Sequence, residues 1–280
     1  MVAAYVFAKE LPSLAPVGRP PRIEDEELIA LAVAQAAAGI CSDRQFLGMV
    51  ARLLPGWFPH LPDQSQYNRR LRTLTPRLVW VQQRLAGLLA SGRLRFADGT
   101  LIGVANYAGC AAKSEFAGYA AYGYCAAKSQ YCWGVRLVLL TDWRGLPVGY
   151  TLVPANEREY EPVRTLAIGD GSRHLVADKG LWGAEYAATL ALEGITIRTP
   201  DRVRTAENRA SERCLASFRL VIESTIANLK CQMRLEQHLA KTPAGLVARI
   251  ASRLLALTLG MFLNAQLGRP LRSLVAYDGR

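Results

Sequence analysis

Between Ser211 and Gln237 the chain reads SERCLASFRLVIESTIANLKCQMRLEQ, without proline or glycine. Leu215, Phe218, Ile222, Ile226, Leu229 and Met233 recur there at steps of three and four, which predicts a helix with one apolar stripe packed on a core. The rest of the pattern divides in two. Up to residue 90 the apolar positions follow the helical period. Residues 1–22, with Pro12, Pro16, Pro20 and Pro21, are expected as a loosely held arm. Glu24 to Glu27 stand where a helix N-terminus favours negative charge, ahead of LIALAVAQAAAG. Ser42 and Asp43 can cap a second helix reaching about Leu54, Pro55–Pro62 breaks it, and Pro76 opens a further helix at Thr75.

From Ser91 the period shortens to two. RLRFADGTLIGVA reads as a strand with Leu94, Phe96 and Asp98 on one side. CWGVRLVLLTD and LPVGYTLVPA form a hairpin about the turn Trp143–Pro147. HLVAD and ITIRTP are later strands, with helices over Glu159–Ala167 and Ala184–Leu192, and a last helix fills Ala244–Gly268. Asn106–Gln130 holds a near repeat, CAAKSEF then CAAKSQY, read as a local duplication in a loop. A three-stranded meander followed by helix-linked parallel strands is the order of the ribonuclease-H-like (retroviral-integrase-like) fold. The expected architecture is therefore α/β: residues 91–280 as a ribonuclease-H-like catalytic domain with a C-terminal helix, behind an all-helical module in residues 1–90.

Charge narrows the partners. Lysine plus arginine number 34 against 23 aspartate plus glutamate, a net charge of +11 in 280 residues, spread along the chain rather than gathered in a tail. A folded, arginine-rich protein of this kind favours a polyanion, nucleic acid before membrane. The cluster Arg69, Arg70, Arg72 and Arg77, behind Tyr67 and Asn68, is a candidate for phosphate contacts, or else a solvated helix face. Lys113, Lys128, Tyr107, Tyr119, Tyr122 and Tyr124 could meet nucleic acid by phosphate pairing and stacking, or pack an ordinary hairpin insertion. Six cysteines without a CxxC pair, and no secretory leader, lead us to expect reduced thiols in the cytoplasm. The apolar run Leu254–Leu267 is too short for a bilayer and reads as a buried helix.

The candidate chemistry lies in three carboxylates. Arg219, Glu223 and Lys230 flank the apolar stripe of the long helix, and two strands offer Asp98 and Asp178. In the expected fold Asp98 lies on the first strand, Asp178 ends its neighbour, and Glu223 comes from the helix crossing both. Three such groups brought together repel one another without a hard divalent cation, which points to a metal site for phosphate chemistry. Each has a plainer reading. Asp98 could be a turn residue before Gly99, and Arg219 with Glu223 a surface ion pair worth well under ~1 kcal/mol. Asp142 and Asp170 are rival carboxylates in turn contexts. His60, His174 and His238 are scattered and carry no catalytic assignment.

These residues resemble the DDE transposases of bacterial insertion sequences, most closely the insertion-sequence nine-eight-two group. FPHLPDQSQYNRRLRTLTP (Phe58–Pro76) is similar to that group's N-terminal signature, ADGT to its first aspartate motif, ADKGLWG (Ala177–Gly183) to the second, and R-x3-E-x6-K (Arg219, Glu223, Lys230) to the third. A tyrosine common three residues before that arginine is replaced by Ala216. The resemblance implies metal-dependent cleavage of transposon ends and strand transfer, with Asp98, Asp178 and Glu223 holding two Mg2+ ions, Mn2+ being a substitute. It implies that Lys230, Arg219 and Lys179 meet double-stranded DNA, and that at least a homodimer assembles on it. A nuclease of the same fold that cuts without joining, and a non-catalytic DNA-binding relative, are the alternatives.

Overall fold

The computed structural model describes residues 1–11, 21–105, 110–125, 129–181, 183–200 and 209–274. Five helices come first: α1 (Val2–Lys9), α2 (Asp25–Ala37), α3 (Asp43–Leu53), α4 (Gln64–Thr73) and α5 (Thr75–Leu89). A mixed region follows with β1 (Leu94–Ala105), α6 (Cys110–Lys113), β2 (Ala121–Cys125), β3 (Gln130–Asp142), β4 (Pro147–Pro154) and α7 (Tyr160–Asp170). Then come β5 (His174–Ala177), α8 (Ala184–Leu192), β6 (Thr196–Arg198), α9 (Arg209–Cys231) and α10 (Pro243–Gln266). The chain packs as two compact units, Met1–Leu85 with Asn228–Arg280, and Ala86–Ala227. The C-terminal helix thus goes with the N-terminal helices, a different partition from one drawn at residue 90.

In the helical unit, α10 packs on α2 and α4. It is 24 residues long and, by length and composition, apolar enough to cross a membrane, so it exceeds the short run Leu254–Leu267 expected from the sequence. Yet 78% of its apolar window is buried inside the protein, where it serves as a core helix. Its cations are met internally. Arg253 donates to the carbonyls of Met233 and Arg249, and burial lowers its guanidinium to about 10. Arg249 makes two bonds to Asp43, at 3.1 and 2.6 Å. The Asp43 carboxylate also accepts from Gln35 and Asn68, and Gln35 accepts from the wholly buried Tyr67 hydroxyl. Burial alone would raise the Asp43 carboxyl; the Arg249 guanidinium and the two amides hold it below its ordinary value.

Caps follow the sequence. Ser42 accepts from the Gln45 N–H, Thr242 from Gly245, and Glu24 with Glu27 closes a capping box on α2. The expected N-terminal arm is corrected. Val2–Lys9 is helical because Ala4 and Ala8 are fully buried and Phe7 meets Phe262 edge-on at 5.3 Å. The proline-rich run 12–20 lies outside the described residues.

In the mixed unit the strand order is β2-β3-β1-β5-β6, with β4 also paired to β3. β3 runs antiparallel to β1 and β4, and β5 lies parallel to both β1 and β6. The expected meander and the two parallel strands are thus present as β1, β3, β4, β5 and β6. The segment Asn106–Gln130 is more than a loop: β2 pairs with Gln130–Gly134, beside the stretch of β3 that β4 occupies. Gly123 permits this, since a Cβ there would lie 2.5 Å from the Ala155 carbonyl oxygen. One sheet face packs Ala97, Val138, Leu140, Leu175 and Ala177 against Val163 and Ala167 of α7 and Tyr186 and Leu190 of α8. On the other, Phe218 of α9 stacks on Phe96, ring centroids 5.3 Å apart. Helix α9 ends at Cys231, short of the expected Gln237. Met233 is still buried, beyond the helix end and just before Arg234 at a positive φ of 51°.

Candidate active site

β1 needs two neighbours and has them: Ala97 pairs with Leu140 of β3 and Ala177 of β5. Asp98 is therefore held in mid-strand, which excludes the turn reading, and it alternates with Ala97 so as to share the side of Phe96. Asp178 follows the last residue of β5, one strand over. The stacking of Phe218 on Phe96 sets the rotation of α9, which brings Arg219 and Glu223 to the same place. Asp98, Asp178, Arg219 and Glu223 line one pocket floored by Phe96, Val176, Phe218 and Ile222.

The electrostatics differ among the three carboxylates. The Asp98 carboxyl is raised from 3.8 to about 6: burial is the main cause and Glu159 and Asp178 add to it, while the Gly99 N–H, bonded to Oδ1 at 2.8 Å, and Arg219 oppose the shift. Asp178 and Glu223 are half exposed and share one cation, Arg219, 3.4 Å from each. Asp178 Oδ1 also accepts from the Lys179 N–H at 2.6 Å. Among the described residues no three His, Cys, Asp or Glu side chains stand close enough to hold one metal ion. The donor set nonetheless suits a hard divalent cation: three carboxylates from three elements, one raised by burial and two sharing a single guanidinium, leave negative charge for a cation to balance.

The rival carboxylates have structural roles. Asp142, wholly buried, accepts from the N–H groups of Arg144 and Leu146 and closes the β3–β4 turn. Asp170 binds Arg95 and Ser172. Glu159 was missed by the sequence reading. It sits at the N-terminus of α7, paired with Arg136, and its carboxylate packs against Gly99, where an added side chain would have to push it aside. An acidic residue before a helix carries a capping signal and nothing more, so its nearness to Asp98 had no mark in the sequence.

The basic residues part company. Arg70 donates to Asp25 and the Ile23 carbonyl, and Arg77, buried, to Asp25 and Glu26, so the inner side of α4 and α5 is built on ion pairs. Tyr67 and Asn68 belong to the Asp43 network. Arg69 and Arg72 are exposed, as is Lys179. Lys230 pairs with Glu236 at 3.2 Å. Tyr107, Lys128 and Trp182 lie outside the described residues.

Residues 90–259 match the model of the transposase DDE domain. The chain belongs to that family. Its match begins just before β1, so the three strand and helix positions described above fall inside the DDE domain. Among curated proteins no match is found. Among solved structures, the Mos1 transposase paired-end complex with left transposon end is similar over 80% of this chain and 82% of that chain, at 14% identity and a TM-score of 0.24. The Mos1 mariner paired-end complex with Mn gives 14% identity over 80% and 81%, with a TM-score of 0.23. A pre-cleavage Mos1 transpososome gives 16% identity over 90% and 82%, with a TM-score of 0.24. Superpositions this loose fix neither fold nor function, and the assignment to the DDE transposase family rests on the domain match.

Proposed function

We propose that this DDE-family protein is an insertion-sequence transposase whose Asp98, Asp178 and Glu223 form the catalytic triad of a ribonuclease-H-like core. The observation that carries the reading is that carboxylates 125 positions apart, from β1, the end of β5 and α9, line a single pocket. Magnesium ions held there, with manganese as a substitute, would supply activation of a water or 3′-hydroxyl and neutralisation of the leaving oxygen. The protein's own part is to bind and position. Asp98, on a strand hydrogen-bonded along both edges, is the rigid ligand. Asp178 and Glu223 are movable ones, with Arg219 holding them until the ions and DNA enter. Lys179, Lys230, Arg69 and Arg72 are the proposed phosphate contacts; Arg70, committed to Asp25, has a structural part. The signature at Phe58–Pro76 supports membership of the insertion-sequence nine-eight-two group of bacteria, acting in the cytoplasm on double-stranded DNA as at least a dimer.

The test pairs a plasmid carrying the element's ends with a target plasmid and Mg2+. The expected result is cut and joined products, both lost in Asp98→Asn, Asp178→Asn and Glu223→Gln while DNA binding persists. Cuts without joining would favour a nuclease. One observation supports a non-catalytic relative, namely the Arg219 guanidinium lying between two of the three carboxylates. That reading prevails if Asp178→Asn leaves every DNA-dependent activity unchanged.

A further inference from the structure

The ribbon made by β2 and the start of β3 presents tyrosine rings to solvent. Tyr122 and Tyr124 alternate on β2, Tyr131 lies directly opposite Tyr124, and Trp133 opposite Tyr122, so the four rings share one face. Trp133 is buried at 3% exposure, but Tyr122, Tyr124 and Tyr131 are 51%, 54% and 73% exposed. The Tyr124 and Tyr131 rings meet edge-on, 5.4 Å apart. Gly123, whose side alternates with the tyrosines, is closed off by Ala155.

This face continues the one that bears Asp98. Tyr131 and Leu139 have the same parity on β3, and Leu139 is the β3 partner of Asp98. Eight strand residues span about 27 Å, the rise of roughly eight stacked nucleotides. No aspartate or glutamate occurs between Glu115 and Asp142, so the ribbon itself carries no negative charge to repel phosphate. A cluster of half-exposed aromatic rings marks an interaction surface. Tyrosine rings accept the faces of unpaired bases, which a closed duplex hides. We infer that the β2–β3 ribbon is a stacking platform for unpaired bases of the DNA strand, with Tyr124 and Tyr131 as its principal contacts. The choice of DNA as partner rests on the transposase reading above.

The experiment is fluorescence anisotropy in chelator, using a labelled duplex with an unpaired arm and the same duplex fully paired. The double variant Tyr124→Ala/Tyr131→Ala is expected to lose about tenfold or more in affinity for the forked DNA and to bind the paired duplex as before. Tyr124→Phe/Tyr131→Phe, which keeps the rings, is expected to bind both as wild type does. Should the double variant fail to fold, Tyr131→Ala alone supplies the same comparison with a smaller loss. Equal losses on both DNAs, no loss on either, or a loss in the phenylalanine variant overturns the inference. So does a change in the oligomeric state of the DNA-free alanine variant, which would mark the face as a contact between copies. Asp98→Asn separates the two claims: it should bind forked DNA normally, whereas cleavage retained by Asp98→Asn would overturn the triad and leave the platform standing.

Discussion

Asp98 is raised to about 6 chiefly by burial, so the folded protein holds its proton more tightly than the unfolded chain does. Stability therefore falls as pH rises from about 3.8 towards 6 and stays lower above that. In chelator at neutral pH, Asp98→Asn should be more stable than wild type by roughly 1–3 kcal/mol, read by urea denaturation, and the difference should vanish near pH 4. Arg219 acts in the opposite sense. As the cation shared by Asp178 and Glu223 it competes with any metal, so Arg219→Gln should tighten Mn2+ binding by about fivefold, measured by titration without DNA; weaker binding would mean that Arg219 instead orders the ligands. That the three carboxylates would line one pocket was legible because Asp98 lies at an alternating strand position, Asp178 just past a strand's end and Glu223 beside a helical stripe. Glu159 was not, since its contact with Gly99 depends on where α7 begins relative to β1.

Helix α9 is placed by two contacts, Phe218 stacked on Phe96 and the buried Thr225 hydroxyl donating to the Gly145 carbonyl at 2.8 Å. Thr225→Val keeps the shape and removes the bond, and should cost about 1–2 kcal/mol together with some cleavage activity, because Glu223 rides on the same helix. In the helical unit the Asp43 network ties α3 to α2, α4 and α10. With Asp43 only 2% and Arg249 12% exposed in their side chains, Asp43→Ala leaves a buried guanidinium unpaired and should cost about 3–5 kcal/mol. Because the folded state lowers the Asp43 carboxyl, its contribution is present above pH 3.8 and lost as pH falls below that, so acid should narrow the gap between variant and wild type. Helix boundaries from Asp43 to Leu89 were readable from caps and prolines. The fate of Arg70 and Arg77 was not: their carboxylate partners lie 45 to 52 positions upstream, and a basic run looks the same whether it meets phosphate or Asp25.

For the whole molecule the net charge of +11 matters through the cations that face outward, Arg69, Arg72 and Lys179 among them. DNA affinity should fall steeply with salt, and Arg69→Ala or Arg72→Ala should each reduce the slope of log affinity against log salt by about one, whereas Arg70→Ala should lower stability instead. The chain order of β1, β3, β4, β5 and β6 was legible from period and turn residues. The pairing of β2 beside β4 was not, because it depends on Gly123 meeting Ala155, a contact between segments more than thirty residues apart. The central claim is that Asp98, Asp178 and Glu223 close on the same ions. A crystal of the protein grown with Mn2+ and examined by anomalous scattering tests it most directly. The account predicts peaks bounded by those three carboxylates with Arg219 moved off them; saturating Mn2+ with no peak there, and Arg219 still bridging Asp178 and Glu223, would contradict it.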